Sequence, residues 1–119
     1  NSMFLILNHQ KLDVYISVRN LVSECYRITS MFPTEERFGI ISQIRRAVIS
    51  VHLNIAEGAS RRSKAERKRF FEIARGSLIE IDAALDVAYD LKYYSKQDSE
   101  NLKNNMINTF KMLTGLINN

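Results

Sequence analysis

The sequence predicts an all-α fold, an antiparallel up-down-up-down four-helix bundle in which residues 1–119 form a single domain. Three observations predict it. One proline and four glycines among 119 residues leave little punctuation for a many-turned β protein. Leu, Ile, Ala, Lys, Arg and Glu are abundant, and all but Ile are strong helix formers. Four stretches carry apolar residues at three- and four-residue steps, joined by short polar connections, which is the pattern of a bundle. Asn1 and Ser2, ahead of Met3, are set aside from the fold as an expression scar.

The first helix is expected over residues 12–31, with Val14, Val18, Leu21, Val22, Cys25 and Ile28 on one face. Pro33 ends it, because the residue before a proline is pushed out of the α region. The second is expected over 35–58, with Thr34 as N-cap, Glu35 and Glu36 in the first turn, and Gly58 as the stop. Its seam is Ile41, Ile44, Val48, Val51 and Ile55. Ser63-Lys64-Ala65-Glu66 is a capping box that opens the third helix, expected over 64–93. Phe70, Ala74, Ser77, Ile81, Ala84, Ala88 and Leu91 form its seam, and Phe71, Leu78 and Leu85 widen the apolar face. Ser95, with Asp98 in the matching position, caps a fourth helix over 96–117. Leu102, Met106, Phe110, Leu113 and Ile117 make its seam, and its Asn-rich end is expected to fray.

The net charge of +4 is unevenly spread. Residues 34–75 carry ten Arg or Lys against five acids, whereas residues 76–119 carry four lysines against six acids. The chain is therefore basic in the middle and acidic beyond it. Cys25 stands alone, which rules out an internal disulfide; within an apolar stripe it reads as a small buried hydrophobe rather than a reactive thiol. A reducing, cytoplasmic setting follows. Met3 to Leu7 is too short and lacks the basic leader of a secretory signal, and Ser50, His52 and Asn54 interrupt the apolar run Ala47 to Ala56, so no membrane span is expected.

A search for catalytic chemistry finds none. A di-iron bundle needs Glu three residues before His on two helices, yet Ile6 and Ile49 hold those positions before His9 and His52. Two histidines and one cysteine cannot supply a zinc set. No Gly-x-Ser-x-Gly turn or phosphate-cradling glycine loop is present. His52, mid-helix beside the seam, reads as structural. No metal, cofactor or catalytic residue is expected, and the chain is read as a non-enzyme.

Two charged features remain. Asp82, Asp86 and Asp90 follow at four-residue steps, either a solvated face or a contact for a basic patch on another copy or a partner. In the segment Arg61-Arg62-Ser63-Lys64-Ala65-Glu66-Arg67-Lys68-Arg69, six of nine residues are basic. Arg61, Arg62 and Lys64 sit at a helix N-terminus, against the macrodipole. A phosphate backbone would favour them there; a soluble surface with local pairs such as Arg62–Glu66 and Lys68–Glu72 is the plain alternative. No aromatic interleaves the arginines, so stacking on single strands has no support. Arg45 and Arg46 raise the same question on the second helix: one flanks the seam and pairs with an acid while the other points outward.

Phe38-Gly39, Gln43-Ile44-Arg45-Arg46-Ala47, Ser50-Val51 and Asn54-Ile55-Ala56-Glu57-Gly58 form a distinctive series. It continues through Arg61, Ser63, Glu66, Phe70-Phe71, Ile73-Ala74-Arg75-Gly76-Ser77 and Glu80. The series resembles the four-helix-bundle family of 23S rRNA intervening-sequence proteins. The opening Leu12-Asp13-Val14-Tyr15 and the Phe32-Pro33 joint agree, so the resemblance covers most of the chain. It implies a bacterial cytoplasmic protein, a homo-oligomeric ring (a pentamer), and kinship with the basic, nucleic-acid-binding accessory protein of diversity-generating retroelements. It attaches no enzyme activity. Carried over by position, Arg45, Arg46, Arg61, Arg62, Lys64, Arg67, Lys68 and Arg69 become candidate nucleic-acid contacts. Asn54, Glu57 and Gly58 become structural or subunit-contact residues. Buried polar groups must be hydrogen-bonded, which for Asn54 and Glu57 suits a helix-end cap or an interface. Gly76 inside the third helix calls for a close backbone approach, within the bundle or between copies. The expected function is that of an oligomeric bundle binding structured RNA or other nucleic acid through a basic surface; the alternative is a protein-interaction scaffold with no nucleic-acid role.

Overall fold

The structure, a computed structural model, describes residues 4–7 and 12–119. His9 lies outside the described residues. Four helices follow in order: α1 (Asp13–Thr29), α2 (Ile40–Ser60), α3 (Lys64–Asp90) and α4 (Glu100–Asn118), with a 3₁₀ turn at Thr34–Glu36. Among the described residues there is no strand.

Each helix packs on its sequence neighbours, and α4 closes the ring on α1. The cross-contacts fix the directions. Thr29 of α1 meets Arg45 of α2, and Tyr15 meets His52. Ser50 meets Ser77, and Ser17 meets Thr109. Each pair joins the late part of one helix to the early part of its neighbour, or middle to middle, as antiparallel packing requires. The core takes its residues from the apolar faces of all four helices, with Leu21, Ile44, Ile55, Leu78, Ile81, Leu102 and Leu113 fully buried. Cys25 lies among them, and burial pushes its thiol up to about 12, the state of a small hydrophobe rather than a nucleophile.

The predicted seams of α1, α2 and α3 hold with small shifts, Leu91 being 52 % exposed. In α4 the phase differs. Thr109 is fully buried and Phe110 is 40 % exposed, because the Thr109 hydroxyl is satisfied by Ser17 at 2.7 Å. Asn105 adds a second tie, its Nδ2 donating to the Ser17 carbonyl at 3.2 Å.

Three boundaries also differ. Thr34 opens the 3₁₀ turn and α2 begins only at Ile40. Glu36 is drawn away, its Oε2 accepting from the Tyr93 hydroxyl at 2.7 Å. The Ser95–Asp98 pair forms, with Asp98 N–H donating to Ser95 Oγ at 3.1 Å and Ser95 N–H to Asp98 Oδ2 at 3.1 Å. It caps a single turn over residues 96–99, not α4, because Arg27 takes the Asp98 carbonyl at 2.7 Å. The Ser95 N–H and hydroxyl, both donating to Oδ2, hold the Asp98 carboxyl below its usual range. Finally, α3 stops at Asp90 instead of 93. Lys92 turns into the left-handed region at φ 64°, and the Lys92 and Tyr93 N–H groups close on the Tyr89 and Ala88 carbonyls. That is a Schellman ending.

Gly58 does not stop α2, which runs on to Ser60. It is buried, and a Cβ placed there would lie 2.8 Å from Phe71 Cε1. Gly58 is therefore a point of tight packing between α2 and α3, with no room for a side chain beside the Phe71 ring. Gly76 is the converse: it is exposed, and an added Cβ would meet nothing within 4 Å. The expected close approach at Gly76 does not occur within the bundle.

Candidate nucleic-acid interface at the basic end

The eight basic candidates fall into two groups. Arg45 and Arg46 lie in the first half of α2, and Arg61 to Arg69 span its end, the turn and the start of α3. At 1.5 Å per residue, the sixteen positions from 45 to 61 separate the groups by about 24 Å along the axis. They form two patches at different levels of the bundle, not one surface.

Arg45 is half-buried and tied to α1. Its Nε donates to Thr29 Oγ1 at 2.9 Å, its Nη2 to the Tyr26 carbonyl at 3.4 Å, and its guanidinium lies 4.5 Å from the Tyr26 ring centre. The expected acid partner is replaced by a hydroxyl, a carbonyl and an aromatic face. Arg46 points to solvent.

At the basic end the cations divide again. Arg61 pairs with Glu57 at 2.7 Å and lies over the Phe70 ring at 4.9 Å. Glu57 is exposed, so its role is to hold this arginine, not to cap a helix or sit buried. Arg67 is half-buried, its Nη1 donating to the Arg61 and Arg62 carbonyls at 3.0 and 2.6 Å. Those two arginines brace the turn. Ser63 caps α3 as expected, accepting from the Glu66 N–H at 3.0 Å.

Arg62, Lys64, Lys68 and Arg69 are exposed and carry no ion pair among the described residues. Arg62–Glu66 and Lys68–Glu72 do not close; Glu66 Oε1 instead receives the Ser63 hydroxyl at 3.2 Å. Four like charges thus occupy the turn and the first turn and a half of α3; at Arg62 and Lys64, beside the N-terminus, the helix dipole disfavours a cation by about 0.3–1 kcal/mol.

Beside them lies a shallow cavity of about 380 Å³ that the sequence alone did not reveal. Lys64, Arg67 and Lys68 form one wall, and Phe71, Leu116 and Ile117 form the floor. It exists because α4 ends against the start of α3, a juxtaposition of residues some fifty positions apart.

The remaining candidate is internal. Asn54, half-buried, donates through Nδ2 to the Ser50 carbonyl at 2.9 Å and to Ser50 Oγ at 3.2 Å. Ser50 Oγ in turn lies 3.0 Å from Ser77 Oγ on α3. Asn54 thus anchors a polar tie between α2 and α3 rather than a helix end. Asp82, Asp86 and Asp90 are all exposed along α3. Among the described residues no three His, Cys, Asp or Glu side chains converge as metal ligands would, and no helix is long and apolar enough to cross a membrane.

A comparison with curated proteins finds no match. The crystal structure of a protein of unknown function from the S23 ribosomal protein family of Bacteroides thetaiotaomicron superposes with a TM-score of 0.80 at 20 % identity, covering 89 % of this chain and 99 % of that one. At that identity the likeness speaks for the fold. The family model described as 23S rRNA-intervening sequence protein matches residues 10–115, and the chain belongs to that family.

Proposed function

We propose that this chain is a non-enzymatic, self-associating bundle that binds structured RNA through its basic end. The observation that carries the reading is the set Arg62, Lys64, Lys68 and Arg69, exposed and without acid partners among the described residues, with the local dipole opposing the first two as well. Phosphates supply the missing counter-charge, and release of their counterions supplies the driving force. Arg46 provides a separate contact for a ligand long enough to span the two patches. Arg45, Arg61 and Arg67 hold neighbouring elements in place and touch phosphate only secondarily.

Titration of a labelled RNA hairpin over a salt series tests this. Four phosphate contacts predict a log–log slope of about −3 to −4. Affinity that is absent at low salt, or insensitive to salt, contradicts the reading.

One observation favours self-association, and with it the alternative of a protein-interaction scaffold. Gly76 lies on the outward face of α3, where Ile73, Ile79 and Val87 are 43 %, 54 % and 51 % exposed. A helix-interior glycine costs about 1 kcal/mol relative to alanine, and nothing inside the protomer requires it. Gly76→Ala is expected to raise the stability of the protomer and to lower the solution mass measured by light scattering. An unchanged mass removes this face from the contact. A stoichiometric protein partner that survives nuclease treatment would favour the scaffold over the RNA reading.

A further inference from the structure

The cavity at the basic end has a cationic wall, an apolar floor and an open mouth, and the cations continue past it. Lys64 and Lys68 stand one helical turn apart on the same flank of α3, both lining the cavity. Phe71 and Ile117, each 5 % exposed, and half-buried Leu116 make the floor. Arg67, fastened to the carbonyls of Arg61 and Arg62, stiffens the wall. A volume of about 380 Å³ lies at the lower end of the range for small-ligand sites.

A ligand for this shape has a flat apolar body with an anionic group a few ångströms away. Arg62 and Arg69 lie outside the cavity and carry no acid partner, so the ligand bears further anionic groups beyond the one at the mouth. A lone amphipathic anion would leave them unused. A polyanion from which one apolar unit projects would use all four.

We propose that the cavity receives a single unpaired nucleotide of the bound RNA, its base on Phe71, Leu116 and Ile117 and its phosphate on Lys64 and Lys68. The inference rests on the RNA reading and sharpens it: the protein selects helices interrupted by a bulge or loop, with Arg62 and Arg69 on the flanking phosphates. Watson–Crick pairing keeps bases inside a regular helix, so a perfect duplex can satisfy the cations but not the cavity.

Two RNA hairpins test it, identical except that one carries a single bulged 2-aminopurine. The bulged hairpin should bind about tenfold more tightly, the worth of seating one base on an apolar surface. Its 2-aminopurine emission should become protected from acrylamide on binding, a readout that needs no variant. Leu116→Gln, which adds no charge and is checked for folding by circular dichroism, should abolish the preference and leave paired-hairpin affinity within about threefold, since the four cations remain without an acid partner. Equal, salt-dependent affinity for both hairpins, or emission that stays open to the quencher, overturns the cavity assignment while leaving the basic end as an RNA surface. No binding of either hairpin at low salt overturns both.

Discussion

The two ends of the bundle use their polar groups in opposite ways. At the end where α1 gives way to α2 and α3 to α4, a connected set of them is spent internally, although Glu35, Lys92 and Lys96 face water. The Tyr93 hydroxyl donates to Glu36, the Tyr94 hydroxyl donates to the Leu85 carbonyl at 2.7 Å, Ser95 and Asp98 cap each other, and Arg27 pairs with Glu24 and with the Asp98 carbonyl. Phe32 lies beneath, its ring centre 5.4 Å from Tyr93 and 6.1 Å from Tyr94. Burial and the nearby aspartates push the Tyr94 hydroxyl up to about 12, so it stays a donor. At the basic end, among the described cations, Arg61 and Arg67 are tied back and four others face water beside a cavity. A group that stabilises the fold has found its partner within the fold. Under the proposed function, groups that oppose it locally and have no such partner mark a binding surface.

Phe32→Ala should produce the largest change, because it removes the ring on which the clasp of tyrosines rests. A loss of about 3–5 kcal/mol is expected in denaturant unfolding. RNA affinity of the fraction that remains folded should be unchanged, which keeps the two ends separable.

Gly58→Ala comes next, at about 1–3 kcal/mol, since the added methyl must push Phe71 aside. Phe71 also floors the cavity, so this variant sharpens the comparison: stability and preference for a bulged RNA should fall together.

The smallest effect carries an opposite sign. Lys64→Glu and Lys68→Glu place acids in the first turns of α3, where the dipole favours them. Each should leave thermal stability unchanged or raise it, the first by about 0.3–1 kcal/mol, while RNA affinity falls. A clear loss of stability in both would mean that these lysines serve the fold after all.

The apolar seams of α1 and α2 were legible from period alone, because their core positions are nearly all apolar. The seam of α4 was legible except for Thr109, whose partner Ser17 sits 92 positions earlier in the chain. A threonine reads as solvent-facing until that partner is known. Thr34 and Ser95 were read as caps of long helices, yet each opens a short turn, because Glu36 and Asp98 are engaged by Tyr93 and Arg27. Gly58 was read as a stop, whereas the reason for it is the bulk of Phe71 across the interface. The basic segment was visible as a charge run. Which of its arginines are tied back was not: Arg67 is held by backbone carbonyls that no side-chain pattern records. The floor of the cavity was hidden for the same reason, since it joins the start of α3 to the end of α4.

The most direct test of the central claim is RNA-hairpin affinity measured for the native chain and for a variant with Arg62, Lys64, Lys68 and Arg69 all changed to Gln, over the same salt series. The account predicts that the native chain binds with a log–log slope of about −3 to −4, and that the variant, equally well folded, loses most of the affinity and flattens the slope toward zero. Equal affinity and equal slope in a folded variant would contradict it, and would place the RNA contact, or the function itself, elsewhere on the bundle.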